Sequence, residues 1–305
     1  GNSSHVVSIP GVWLKKNNLN KGDLIYLEEN GNSELILTPQ IKEKKEEYKK
    51  IIIKVDNKNF SRINRELVSA YLEDYREIEF VGKSIPNIIK KLRDGIQNLM
   101  GLEIIEHDNK TILAKDLLDL REVSLHDMVK RIDIISRAML SDLIYSNDKI
   151  VSANFFHRDD DIRRIYLAAM RTIKRAFSDT NFASELKMSS DELMRLWHVI
   201  NHIEITADNI KHISQRLQTS KTSKKELGRF CNILQKVEKF YIETLKTFYL
   251  NNSEEAYKQA DVKDILIAEI NDACEDCHKG NICVAYELVK NMVSEIQKIG
   301  RRVYS

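Results

Sequence analysis

Proline is scarce and unevenly placed in this chain. Pro10, Pro39 and Pro86 are the only three in 305 residues, and none follows Asn87. Most of the ten glycines also fall in the first third. Nothing therefore interrupts helices in the rear, while turns and β-structure are expected in the front. Cysteine is sparse as well. Four in a chain of this length argue for a reducing interior, read here as cytoplasmic, rather than a secreted disulfide scaffold. No run approaches the ~18 apolar residues of a membrane span and no signal-peptide pattern opens the chain, so membrane insertion is not expected. The chain begins with Gly1 rather than Met, and an upstream segment is expected to have been removed or left out. A formal net charge of +2 excludes an overwhelmingly basic nucleic-acid coat but leaves room for a local basic patch. Nucleophile elbows, phosphate-cradling glycine loops and dinucleotide fingerprints are missing, since Gly22, Gly101 and Gly228 stand isolated. The chain is not expected to be an enzyme.

The hydrophobic share, 42%, supplies a core, and the length suggests about two domains on the usual prior of roughly 100–200 residues each. The front opens on His5–Ile9 (HVVSI), a β-branched run halted by Pro10, followed by an amphipathic piece over 12–19. Lys21–Leu27 and Ser33–Thr38 flank Asn30-Gly31, a strong hairpin signal. Residues 42–50 carry mixed charge and read as a linker or short helix. A second unit then reads β-α-β-α-β-β: strand 51–55, helix 61–75 capped by Ser61, strand 77–81, helix 84–100, and strands 102–106 and 111–114 turning at Asn109. From about Ser124 the chain reads as six helices of 20–30 residues. Breaks are expected near 147–149, 178–181, 189, 219–223, 251–253 and 279–281.

Two carboxylates draw attention in the rear half. Glu204 and Asp208 lie one helical turn apart, beside the apolar stripe Leu196, Ile200, Ile203, Ala207 and Ile210. Two anions next to a core call for a cation, a cap or a partner helix; otherwise they form a solvated acidic edge. The run Ala285–Ile296 repeats the spacing. Overlaying Glu287 on Glu204 places Asn291 on Asp208, as two three-helix units over about 124–219 and 222–303 would require. Cys274-x-x-Cys277-His278 followed by Cys283 matches a Cys₃His zinc site in spacing, against the ordinary alternative of free buried or helix-edge thiols. The pair His198 and His202, and His212 beyond Asp208, lack a clear third ligand and read as surface or packed edge.

These segments together carry a family resemblance. Ser3–Asp23 (SSHVVSIPGVWLKKNNLNKGD) resembles the swapped-hairpin domain of AbrB/SpoVT-type regulators, and the rear half resembles a PhoU domain in the archaeal arrangement that joins both on one chain. Arg65–Leu72 (RELVSAYL), Leu99–Glu106 (LMGLEIIE), Asp116–Leu120 (DLLDL), Arg158–Tyr166 (RDDDIRRIY) and Ile203–Asp208 (IEITAD) fit that arrangement in order. The resemblance implies a multidomain, mainly α protein. It would have a swapped-hairpin β unit over 1–40, a small α+β connector over 51–118, and PhoU-like tandem three-helix bundles over 123–305.

The resemblance further implies a regulator of phosphate uptake or phosphate signalling, with bundles that bind metal through Glu/Asp-x-x-x-Asp motifs. Glu204 and Asp208 match that motif, and Asp159 matches the first acid of the opposing helix, with Asp160 and Asp161 beside it. Glu287 and Glu295 remain in the second bundle. Two departures stand out: Arg163 occupies the place of a usual second acid, and Asn291 replaces another. Hard carboxylate donors suit Mg²⁺, Ca²⁺, Mn²⁺ or iron, with Zn²⁺ a further option; ordinary salt bridges to Arg158, Arg163 and Arg164 are the alternative. The front domain is expected to form a homodimer and to bind duplex DNA through Lys15, Lys16 and Lys21, although Gly11 stands where relatives often carry lysine. The alternative is a non-DNA adaptor that docks on a phosphate transporter or sensor protein.

Overall fold

The computed structural model describes residues 6–29, 35–39, 49–145, 151–220, 222–275 and 280–304. The front unit holds helix α1 (Gly11–Lys16) and two antiparallel strands, β1 (Tyr26–Glu29) and β2 (Leu35–Thr38), in register Tyr26↔Thr38 to Glu29↔Leu35. The Asn30-Gly31 turn expected between them lies outside the described residues, as do 42–48 of the charged run. Residues 6–10 form no regular element despite their β-branched run, and the first hairpin strand starts at Tyr26 rather than Lys21. A strand needs a paired edge, and no described neighbour offers one to 6–10. Val6 is 91% exposed, Val12 81% and Leu24 78%, and no described side chain between 6 and 39 is fully buried. A lone hairpin of this size is marginal in water.

The second unit is a four-stranded sheet with two helices on one face. Its chain order is β3 (Lys50–Lys54), α2 (Phe60–Leu72), β4 (Glu77–Val81), α3 (Ile85–Gln97), β5 (Leu102–His107) and β6 (Thr111–Asp116). The spatial order is β3-β4-β6-β5; β3 and β4 run parallel and the other pairs antiparallel. Alternation drives it: Ile53, Ile78, Phe80, Ile112 and Ala114 turn inward against Ile63, Leu67 and Tyr71 of α2 and Leu92 and Ile96 of α3. Asn59 rather than Ser61 caps α2, its side chain accepting from the Arg62 amide at 2.9 Å. Asp108 closes the β5–β6 turn by accepting from the amides of Lys110 and Thr111.

A 3₁₀ turn (Leu120–Glu122) leads into the helical half: α4 (Leu125–Tyr145), α5 (Val151–Ser178), α6 (Thr180–Glu185), α7 (Ser190–Gln218), α8 (Lys224–Leu250), α9 (Ser253–Glu275) and α10 (Asn281–Arg301). Six are long; the short α6 occupies the break expected near 178–181. Local chemistry sets the ends. Ser189 caps α7, Ser223 and Glu226 form a reciprocal capping box on α8, and Asn251 ends α8 in the left-handed conformation. The helices α4, α5 and α7 pack together, as do α8, α9 and α10, and α7 lies along α10 so that both packs share one core. No helix among the described residues is long and apolar enough to cross a membrane.

The connector sheet and the bundle meet through α5. Ile162, Ile165, Ala169 and Ile173 face the bundle, whereas Leu167 belongs to the core of the α+β unit. One turn on, Arg171 is 0% exposed. Its guanidinium donates to Asp74 at 2.6 and 2.8 Å and to Asp116 at 2.5 Å, and stacks 4.6 Å from the Tyr71 ring centre. Arg76 also binds Asp116, Arg175 lies 3.4 Å from Asp74, and Lys174 pairs with Glu73 at 2.5 Å. Burial chiefly, with the two aspartate charges adding, pushes the Tyr71 hydroxyl up to about 12 against the opposing pull of Arg171.

Candidate functional site

Helical periodicity carries Glu204 and Asp208 to one edge of α7, where α5 runs beside it. The stripe Leu196, Ile200, Ile203, Ala207 and Ile210 is buried, which holds the acidic edge at the border of the core. Asp159 of α5 faces this edge. The joining group is Lys211, whose ammonium lies 2.8 Å from Asp159 Oδ2 and 2.6 Å from Asp208 Oδ1. His212 Nε2 stands 3.2 Å from the other oxygen of Asp208. Burial works against the Lys211 charge, but its bonds to Asp159 and Asp208 outweigh that and hold its pKa above the ordinary value. Glu204 is half-buried; desolvation first, then the charges of Asp208 and Asp159, raise its pKa, partly offset by Arg163 and Lys211.

Other nominated residues fall elsewhere. Asp160 and Asp161 are exposed, because successive helical residues are rotated by about 100° and only one of three adjacent aspartates can face α7. Glu287 is 60% exposed on its side chain and pairs with Lys290 at 2.5 Å. Glu295 is buried, but it faces His202 Nδ1 at 2.7 Å and Lys298 at 2.6 Å. Asn291 donates to Asn209 Oδ1 at 3.3 Å, an amide contact where the repeat calls for an acid. Among the described residues, no three His, Cys, Asp or Glu side chains converge as metal ligands. The donor set on α5, α7 and α10 does not fit a metal cluster, because each nominated acid except Glu204 and the exposed pair Asp160/Asp161 already has a cationic partner from this chain.

The zinc reading falls partly outside the described residues: Cys277 and His278 are not among them, while Cys274 is a free thiol and Cys283 is disulfide-bonded. In the front unit Lys15, Lys16 and Lys21 are all exposed, the first two in the last turn of α1. Lys211 and Arg171 escaped the sequence reading, as did the pairing of His202 with Glu295. A signal for Lys211 was present, since a lysine three residues after an acid shares its helix face.

An expected result follows from the charge state of the seam. Replacing Glu204 by Gln removes a carboxylate whose folded pKa is raised, so the parent loses stability relative to the variant as pH rises from the unfolded value near 4.5 through the folded pKa. At neutral pH the variant should be more stable by about 0.5–1 kcal/mol, with no difference below the unfolded pKa. Chemical denaturation of both proteins across pH 4 to 8 checks this, to be read with the pH scale of a carboxylate titration. A less stable variant at neutral pH would mean that Glu204 carries a bond worth more than the repulsion it suffers.

Residues 1–45 match the family described as antidote-toxin recognition MazE, bacterial antitoxin. Neither the curated proteins nor the solved structures contain a match to this chain. That match supports an AbrB-type domain at the N-terminus, which the chain joins to a mainly helical remainder.

Proposed function

We propose that this chain is a homodimeric, DNA-binding transcriptional regulator in which two hairpin units come together at the front and the helical half carries the sensory role, linked to phosphate uptake. The observation that carries the reading is the front unit itself: it matches the MazE antitoxin family, yet leaves Val6, Val7, Val12, Leu24, Leu27 and Leu35 exposed and buries no described side chain. A hairpin so short gains a core by pairing with a second copy. Pairing would also double the set of Lys15, Lys16 and Lys21 and place it where phosphate contacts add up along a duplex. The phosphate link rests on the resemblance of the rear half and on no ligand geometry.

Light scattering on the purified chain should give a dimer mass, and a promoter duplex should be retarded at low salt with affinity falling steeply as salt rises. Leu27→Asp should yield a monomer and weaken DNA binding by about tenfold or more through loss of bivalent attachment. A monomeric parent, or a duplex that migrates identically with and without protein at low salt, would reject the reading. The second reading, an adaptor that docks on a transporter or sensor protein, is favoured by the small number of cations in the front unit. It predicts the dimer without the retarded duplex.

A further inference from the structure

We propose that Lys211 is the resident cation of the acidic seam between α5 and α7, so that this seam is held by an ammonium group of the chain and not by a metal ion. The inference is independent of whether the front unit binds DNA. The Lys211 side chain is 14% exposed, and its nitrogen sits between carboxylates of two different helices, at 2.8 Å from Asp159 and 2.6 Å from Asp208. Those are hydrogen-bond lengths for an ammonium, and the same two oxygens are the ones a bridging ion would need. Arg163, one turn after Asp159 on α5, adds a second positive charge that acts on Glu204. Three acids thus meet two cations without any external ion.

The arrangement recurs along the paired central helices. Asp208 with Lys211, Glu287 with Lys290 and Glu295 with Lys298 are each an acid followed three residues later by its own lysine, at 2.6, 2.5 and 2.6 Å. The second of these pairs is exposed and contributes little to stability on its own. The third is braced by His202 from α7, and Asn291 meets Asn209 as a neutral amide contact between α10 and α7. Every acid on α7 and α10 that helical spacing marks as a ligand, apart from Glu204, is therefore neutralised from within. A divalent ion entering the α5–α7 seam would have to displace Lys211 from between two carboxylates and would meet the positive charge of Arg163, which also acts on Glu204.

The test compares the parent with Lys211→Gln, using Mn²⁺ as the probe. Elemental analysis of the parent should find far less than one metal per chain, and its unfolding midpoint should be the same in EDTA and in millimolar Mn²⁺. Lys211→Gln should unfold several degrees lower in EDTA and regain most of that loss in Mn²⁺, because Asp159 and Asp208 then lack the ammonium that joins them. Lys211→Arg should keep the parent's midpoint more closely than Gln does. Stoichiometric metal in the parent that disappears in Asp208→Asn, or a Lys211→Gln protein indifferent to Mn²⁺, overturns the proposal. If Lys211→Gln does not fold, the double variant Asp159→Asn/Asp208→Asn decides. It should unfold below the parent by the same margin in EDTA and in Mn²⁺. EDTA bringing the parent down to the double variant's midpoint would show that the carboxylates had held a metal.

Discussion

Replacing Arg171 by Met should cost about 3 kcal/mol of stability, the lower end of the range for breaking a buried ion pair by removing one partner. The side chain is wholly buried between the bundle and the sheet, and its loss strands Asp116, whose side chain is fully buried, and Asp74. The lower end applies because neither acid is left entirely alone: Arg76 still reaches Asp116, and Arg175 lies 3.4 Å from Asp74. Methionine keeps much of the stem volume and its contact with Tyr71, so lost packing adds little. The expected signature is uneven. Urea unfolding followed by a probe in the α+β unit should shift further than unfolding followed by helical signal, because the joint and not either core is weakened. Equal shifts below about 1 kcal/mol would mean the network contributes orientation without net stability, as buried ion pairs sometimes do.

Gly101→Ala should by itself cost about 2–4 kcal/mol, by a different route that converges on the same acid. Gly101 sits at φ +83°, a left-handed conformation that costs an L-residue about 1–2 kcal/mol. The new methyl would also meet the Cβ of Leu118 and stand 2.9 Å from Asp116 Oδ1, so the β6 end must move. Asp116 is held there by Arg171 and Arg76 while its other oxygen accepts from the Leu118 amide at 3.2 Å. Displacing it loosens the joint that Arg171→Met also loosens. The double variant should therefore lose less than the sum of the two single losses, by at least about 0.5 kcal/mol, and denaturant midpoints of all four proteins measure that coupling. Full additivity would place the two effects in separate parts of the fold.

Much of the architecture was legible in the residues. The capping box at Ser223 and Glu226, the serine before α7 and the left-handed Asn251 end helices where single-sequence reading places the breaks. The β-α-β-α-β-β order was legible too, since Ile78 and Phe80 alternate with polar neighbours while Ile63 and Leu67 follow helical spacing. The β-branched run over 6–9 forms no strand, because such composition speaks for one only where an edge is present to pair with. The aspartate triplet failed as a set because three consecutive helical positions cannot share one face.

Helix and strand identity follow from hydrogen bonds and side-chain periodicities that close within a few residues, so the chain alone determined most of the elements, the β-type front and the helical rear. Which charge neutralises which was decided only in three dimensions. Lys211 bonds Asp159 across 52 positions, Arg171 bonds Asp74 across 97, and His202 meets Glu295 across 93. Such pairs depend on how whole helices lie against one another, and burial then makes them strong or costly in a way no local pattern encodes.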